Sequence, residues 1–176
     1  MTMINEPGAL SLNLKITLRP AREDDIPKLE WYGQFRHYRN LFRRAFNEQQ
    51  AGRRLILVAD CNGFPVGQIA IQFQGGTARI ADGQQRGYLY SFRVMEMFRG
   101  QGLGTRLIDE AQRHLLVRGF SWATIAVAKD NPGALRLYER LGFVRFADDP
   151  GRWNYIDHRG RVRQVDEPCW ILEKRL

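Results

Sequence analysis

The residues whose types and spacing best suit chemistry form a glycine turn, Arg99-Gly100-Gln101-Gly102-Leu103-Gly104, followed by Thr105 and set between a strand-like run and an amphipathic run. Glycines there let a phosphate approach the backbone, and the unpaired N–H groups of a first helical turn point outward as an anion site. Arg99 adds a guanidinium, so the natural ligand is a diphosphate. Two common nucleotide motifs do not match. No glycine precedes a lysine, which excludes GxxxxGK[ST]. The dinucleotide fingerprint needs GxGxxG and an acid about 20 residues later, a distance occupied here by Phe120, Ser121 and Trp122. A glycine turn also serves plain helix starts, so its neighbours must decide what it holds.

A second run follows in order: Asn131-Pro132-Gly133-Ala134-Leu135-Arg136-Leu137-Tyr138-Glu139-Arg140-Leu141-Gly142-Phe143. Taken with Val94 to Thr105, it resembles the GNAT superfamily of N-acetyltransferases. The likeness covers Leu12 to Ala147 in element order and is specific in the two motifs. It implies acetyl-CoA as co-substrate, lying where two parallel strands splay apart, here Tyr88 to Val94 and Trp122 to Ala128. Main-chain groups near Phe92 and Val94 would meet the pantetheine. The turn Arg99, Gly100, Gln101, Gly102, Leu103, Gly104 and Thr105 would hold the pyrophosphate. Asn131 would bond the pantetheine arm, with Ala134 packed beside it.

Acyl transfer to an amine needs a deprotonated nucleophile, a polarised thioester oxygen and a stabilised leaving thiolate. The resemblance places the Val94 N–H, freed where the strand bulges, at the thioester oxygen, and Tyr138 at the sulfur as general acid. Seven residues, two helical turns, let Asn131 and Tyr138 face one cleft. An alkyl ammonium of pKa near ~10 must lose a proton before attack. Relatives often carry a carboxylate on the strand before the glycine turn, and Tyr88 to Val94 contains none. Glu96, standing where the family usually has proline, is the expected base; Glu30, His37 and a water chain are the other candidates. Neither Cys61 nor Cys169 falls in a motif, so direct transfer in a ternary complex is expected, without a covalent enzyme intermediate.

These residues must be held by a recognisable order of elements. Leu12 to Leu18 alternates as a half-buried strand. Ala21 to Trp31 reads as a short helix with Glu23, Asp24 and Asp25 in its first turn. Phe35, Tyr38, Leu41, Phe42, Ala45 and Phe46 recur at helical spacing to about Gln50. Arg54 to Asp60 and Pro65 to Phe73 form a hairpin about Asn62-Gly63. Gly75 to Gly87 reads as a flexible loop. Leu103, Leu107, Ile108, Ala111 and Leu115 line a helix from Gly102 to Arg118, stopped by Gly119. Ser121 to Ala128 reads as a buried strand, and Asn131-Pro132 opens a helix stopped by Gly142. Phe143 to Ala147 resumes a strand, Asp148 to Gln164 is a long charged connection with Trp153 and Tyr155 embedded, and Pro168 to Leu172 closes the sheet. The expected fold is α/β (α+β): a mixed, centrally splayed sheet of about seven strands flanked by about four helices, with one right-handed parallel crossover. A single domain is expected over 1–176, with a core over 12–147 and a C-terminal loop and strand over 148–176.

Composition bounds the partners. The chain has 176 residues, 44% hydrophobic and 26% charged, enough to bury a core. Net charge is +8, carried by 23 arginines against Lys15, Lys28, Lys129 and Lys174, which favours anionic partners. Arg36, Arg39, Arg43, Arg44, Arg53 and Arg54 concentrate that charge beside the aromatic stripe. They form either a solvated helix face or the border of an acceptor pocket, to which the first helices contribute in GNAT proteins. His37, His114 and His158 are never paired at ligand spacing, so no metal is expected. The first twenty residues lack a secretory pattern and no run reaches the roughly 20 apolar residues of a membrane helix. A cytoplasmic protein acting on an amine, anionic or peptidic, is expected, with no membrane partner and a homodimer among its open states. Two alternatives stay open: a non-catalytic CoA-binding regulator, and a basic RNA- or ribosome-associated module.

Overall fold

The computed structural model describes residues 13–176, so Leu12 lies outside the described residues. The chain runs as β1 (Ile16–Pro20), a 3-10 segment Glu23–Glu30, a 3-10 turn Arg36–Tyr38, α1 (Arg39–Gln50), β2 (Arg54–Cys61), β3 (Phe64–Gln72) and β4 (Arg86–Val94). After a turn at Glu96–Phe98 come α2 (Leu103–Val117), β5 (Trp122–Ala128), α3 (Pro132–Arg140), β6 (Val144–Asp149), β7 (Arg152–Ile156), β8 (Val162–Asp166) and β9 (Cys169–Arg175). Among the described residues, seven strands form one mixed sheet in the order β1-β2-β3-β4-β5-β9-β6, and only β4 and β5 pair in parallel.

Local chemistry accounts for most of these elements. Asn62 and Gly63 both take positive φ (52° and 80°), the two-residue turn that matches strand twist. Asn131 Oδ1 accepts the Ala134 N–H at 3.0 Å and Pro132 fills the first helical position of α3. Gly119 and Gly142 follow their helices with positive φ. Apolar rows on the two faces of the sheet make two cores. Leu57, Ile69, Leu89 and Ile125 pack under α2 with Leu107, Ile108 and Leu115, whereas Ile56, Val58 and Ala70 pack under α1 with Phe42 and Ala45.

Three expectations are corrected. The segment after Pro20 is 3-10 rather than α-helical, because Pro27 removes an N–H from its interior. The connection after β6 is not open loop: Arg152–Ile156 and Val162–Asp166 pair as a separate ribbon, with buried Asp157 accepting the Arg159 and Arg161 N–H groups at its turn. Asn40 Nδ2 ties that ribbon to α1 through the Asp157 carbonyl at 2.8 Å. Finally, β9 does not close the sheet at an edge. It inserts between β5 and β6, antiparallel to both, and leaves β6 outermost.

Asp25 anchors the segment after β1. Burial alone would raise its carboxyl, but Arg19 donates to both oxygens (2.6 and 3.0 Å) and the Arg22 N–H donates at 2.7 Å, holding it below the ordinary 3.8. A carboxyl lowered on folding adds stability that is complete above its unfolded value and lost as pH falls through the folded one. The urea midpoint should therefore drop on acidification below about pH 4, and Asp25→Asn should flatten part of that slope. An unchanged slope in the variant removes Asp25 from the acid response.

Candidate active site

Strands β4 and β5 pair only from Arg86↔Trp122 to Leu89↔Ile125. Beyond that point each continues, β4 to Val94 and β5 to Ala128, so a slot opens between them. The pairing fails because β4 carries a bulge: β3 advances from Gln68 to Ala70 while β4 advances from Arg93 to Tyr90, and Ser91 takes φ 53°. The extra residue swaps the faces of all that follows. Before it, Gly87 and Leu89 face α2 and Tyr88 and Tyr90 face the opposite side. After it, Phe92 meets Gly104 of α2, Val94 joins the α2 core, and Arg93 turns to the aromatic rings at α1.

The bulge also decides which backbone groups point toward β5, although Val94 itself is not among the residues that line the cleft. The Met95 N–H bonds the Val66 carbonyl at 2.8 Å, so alternation along an antiparallel pair aims the Phe92 and Val94 groups away from β3, toward β5. Consistently, the Val94 carbonyl accepts from Arg99 Nε at 2.9 Å.

The slot belongs to a cleft of about 790 Å³ that reaches both faces of the sheet. Phe92, Asn131, Ala134 and Tyr138, four of the expected residues, line it together. Tyr138 is 5% exposed, its ring 6.3 Å from Phe92 and 6.2 Å from Phe143, and burial pushes its hydroxyl above the ordinary 10.0. Asn131 Oδ1 is committed to its helix cap, while no hydrogen bond engages Asn131 Nδ2 among the described residues.

The glycine turn borders the cleft rather than lining it. Gly100 and Gly102 hold φ of 72° and 79°, and Gly102 caps α2 with no side-chain partner. Helical bonding begins with Arg106 N–H to the Gly102 carbonyl, which leaves the Leu103, Gly104 and Thr105 N–H groups free of intrahelical partners. Gly104 permits the approach of α2 to β4, since a Cβ there would stand 3.0 Å from the Phe92 ring. Gln101 and Leu103 instead line a groove of about 530 Å³ along β1 and α2.

Other expected residues are not brought to the cleft. Glu96 is exposed on its turn and absent from the lining, because the turn carries it past the slot. Glu30 is buried but held by Arg39, which donates to both its oxygens and keeps its carboxyl low. His37 packs on Tyr38, ring centroids 4.1 Å apart. The acids that do line the cleft are Asp148, Asp149 and Glu167. The arginine cluster is dispersed: Arg36 and Arg39 serve Glu30, Arg53 serves Glu48, and only Arg54 approaches the cleft, donating to the Tyr90 hydroxyl at 2.8 Å. Trp153 lines the cleft, and Tyr155 supports it from behind by packing 5.2 Å from Tyr38.

Sequence reasoning missed Gln68, Ser91 and Arg93, which line the cleft on the α1 face. Their signal was an arginine inside the apolar strand Tyr88 to Val94, where a charge needs a reason.

Comparison with known proteins agrees with this fold. The model of the acetyltransferase (GNAT) family matches residues 19–143. A mycothiol acetyltransferase of Nocardiopsis dassonvillei is 39% identical over 72 residues, which make up 41% of this chain and only 22% of that protein. Arabidopsis thaliana NAA60, solved with acetyl-CoA, superposes with a TM-score of 0.68 at 17% identity, covering 92% of this chain and 99% of its own. The ribosomal-protein-S18-alanine N-acetyltransferase of Escherichia coli gives 0.65 at 21%, covering 92% and 94%.

Proposed function

Because this chain belongs to the GNAT acetyltransferase family, we propose that its cleft transfers the acetyl group of acetyl-CoA directly to an amine in a ternary complex. The observation that carries this reading is the slot between β4 and β5, open to both faces of the sheet. The free amides of Leu103 to Thr105 and the Arg99 guanidinium suit a diphosphate on the α2 face. The open Phe92 backbone groups and Asn131 Nδ2 suit the amide-rich arm that follows it. The acceptor reaches the slot from the α1 face.

Acetyl-CoA supplies an activated thioester carbonyl; the chain supplies position and charge. The Val94 N–H donates to the thioester oxygen as negative charge develops there. The amine lone pair forms the new N–C bond, the C–S bond breaks, and its electrons leave on sulfur. Tyr138, kept protonated by its burial, gives its proton to that sulfur. Two protons leave the acceptor nitrogen. The ammonium proton departs before attack, through cleft water toward the acids of the far wall, Asp149 and Glu167. The second, released once the N–C bond has formed, returns to the Tyr138 oxygen.

Thiol release from acetyl-CoA over a panel of amines, with calorimetry of CoA binding, tests this reading. CoA binding together with amine-dependent release is the expected result. Tight binding with no release for any amine would assign the chain to non-catalytic CoA sensing.

A further inference from the structure

On the α1 face of the slot stands a guanidinium with no carboxylate partner among the described residues. Arg93 lies between the rings of Phe35 (4.1 Å from its Cζ to the centroid), Phe42 (5.1 Å) and Tyr38 (5.8 Å). One hydrogen bond engages it among the described residues, from Nη2 to Ser91 Oγ at 3.0 Å. Enclosure by three rings lowers its pKa to about 10, a sign of how little polar company it has.

Its neighbour across the ladder is also incomplete. Gln68, 2% exposed, faces Arg93 in register and donates from Nε2 to the Ser91 carbonyl and Ser91 Oγ, both at 3.1 Å. A carbonyl can only accept, so the amide orientation is fixed by chemistry and Gln68 Oε1 must point elsewhere. That oxygen is buried without a partner among the described residues, an unfavourable state unless something donates to it. Ser91 Oγ bridges the two side chains, so an open donor fork and an orphaned acceptor lie side by side on one wall of the cleft.

We propose that Gln68, Ser91 and Arg93 form the acceptor subsite and select an amine that carries a carboxylate. The carboxylate takes the free edge of the Arg93 fork, and an N–H or O–H of the same molecule donates to Gln68 Oε1. A single cation ringed by aromatics balances one negative charge, which fits a carboxylate better than a phosphate dianion, and the planar fork matches it bidentately. The aromatic walls exclude water and strengthen the pairing. This inference rests on the acetyl-transfer reading for the place of the reacting amine.

Matched pairs of amines, each an amino acid and its carboxamide, are offered to the full chain with acetyl-CoA, and thiol release gives kcat/KM. Each pair's ratio is taken relative to the Arg93→Met variant, so that differences in amine basicity cancel. The acid members are expected to gain about 30-fold or more by this measure. Arg93→Lys keeps the charge without the fork and should recover only part of the gain. An acid-to-amide ratio no larger in the wild type than in Arg93→Met overturns the subsite. Calorimetry of each pair on the free chain and on its CoA complex reads the same preference without turnover, and acid members that bind no better than their amides also overturn it. A chain that binds carboxylates through Arg93 yet neither binds CoA nor releases thiol would sink the acetyl-transfer reading and leave the subsite standing.

Discussion

Tyr138→Phe is expected to lower kcat by about 10²- to 10³-fold, the range of a lost general acid, while the dissociation constant of CoA stays within about twofold. The ring of Tyr138 packs between Phe92 and Phe143, and phenylalanine keeps those contacts. Only the hydroxyl goes. That hydroxyl makes no hydrogen bond among the described residues and lies on the cleft, so its removal leaves no protein group unpaired. Folding should be unaffected and the loss confined to the step in which sulfur leaves. Burial raises the tyrosine's pKa above 10.0, so the acid stays protonated in the wild type and no alkaline fall in rate below that pH should be traceable to it. Steady-state rates with calorimetry of CoA binding check both halves, and a rate near that of the wild type removes Tyr138 from the mechanism.

Gly102→Val is expected to weaken CoA binding by about 100-fold. Gly102 sits at φ 79°, ψ 0° as the cap of α2, and its φ is one that a β-branched residue reaches only at a cost of about 1–2 kcal/mol. A valine there either pulls the turn toward negative φ, which re-aims the Leu103, Gly104 and Thr105 amides, or covers the anion they face. Two charge-assisted hydrogen bonds at about 1.5 kcal/mol each amount to ~3 kcal/mol, or about 100-fold. Gly119→Val supplies the control. It imposes the same strain at φ 83°, beyond the other end of α2, with open space around its Cβ. It should lower the melting temperature comparably and leave CoA affinity alone. Equal loss of affinity in the two variants would mean that strain, not the lost amides, explains the effect.

What the sequence determined by itself is whatever depends on a few neighbouring residues. The period of two in β2 and β3, the Asn62-Gly63 turn, the cap and proline of α3, the glycine that ends α2 and the free amides after Gly102 are all local chemistry. So is the face shared by Asn131, Ala134 and Tyr138, which follows from helical spacing. What only the tertiary structure decided depends on partners far away in the chain. Strand alternation carried through Tyr88 to Val94 would place Arg93 with Leu89 under α2. One extra residue at Ser91, tolerated because β3 pairs around it, sends Arg93 to the aromatic rings of α1 and turns the Val94 amide toward β5. The place of β9 between β5 and β6, the pairing of β7 with β8 and the exclusion of Glu96 from the cleft are of the same kind. A short polar or apolar run carries its own preference for strand or turn, but its neighbour is selected by the free energy of closing the whole sheet.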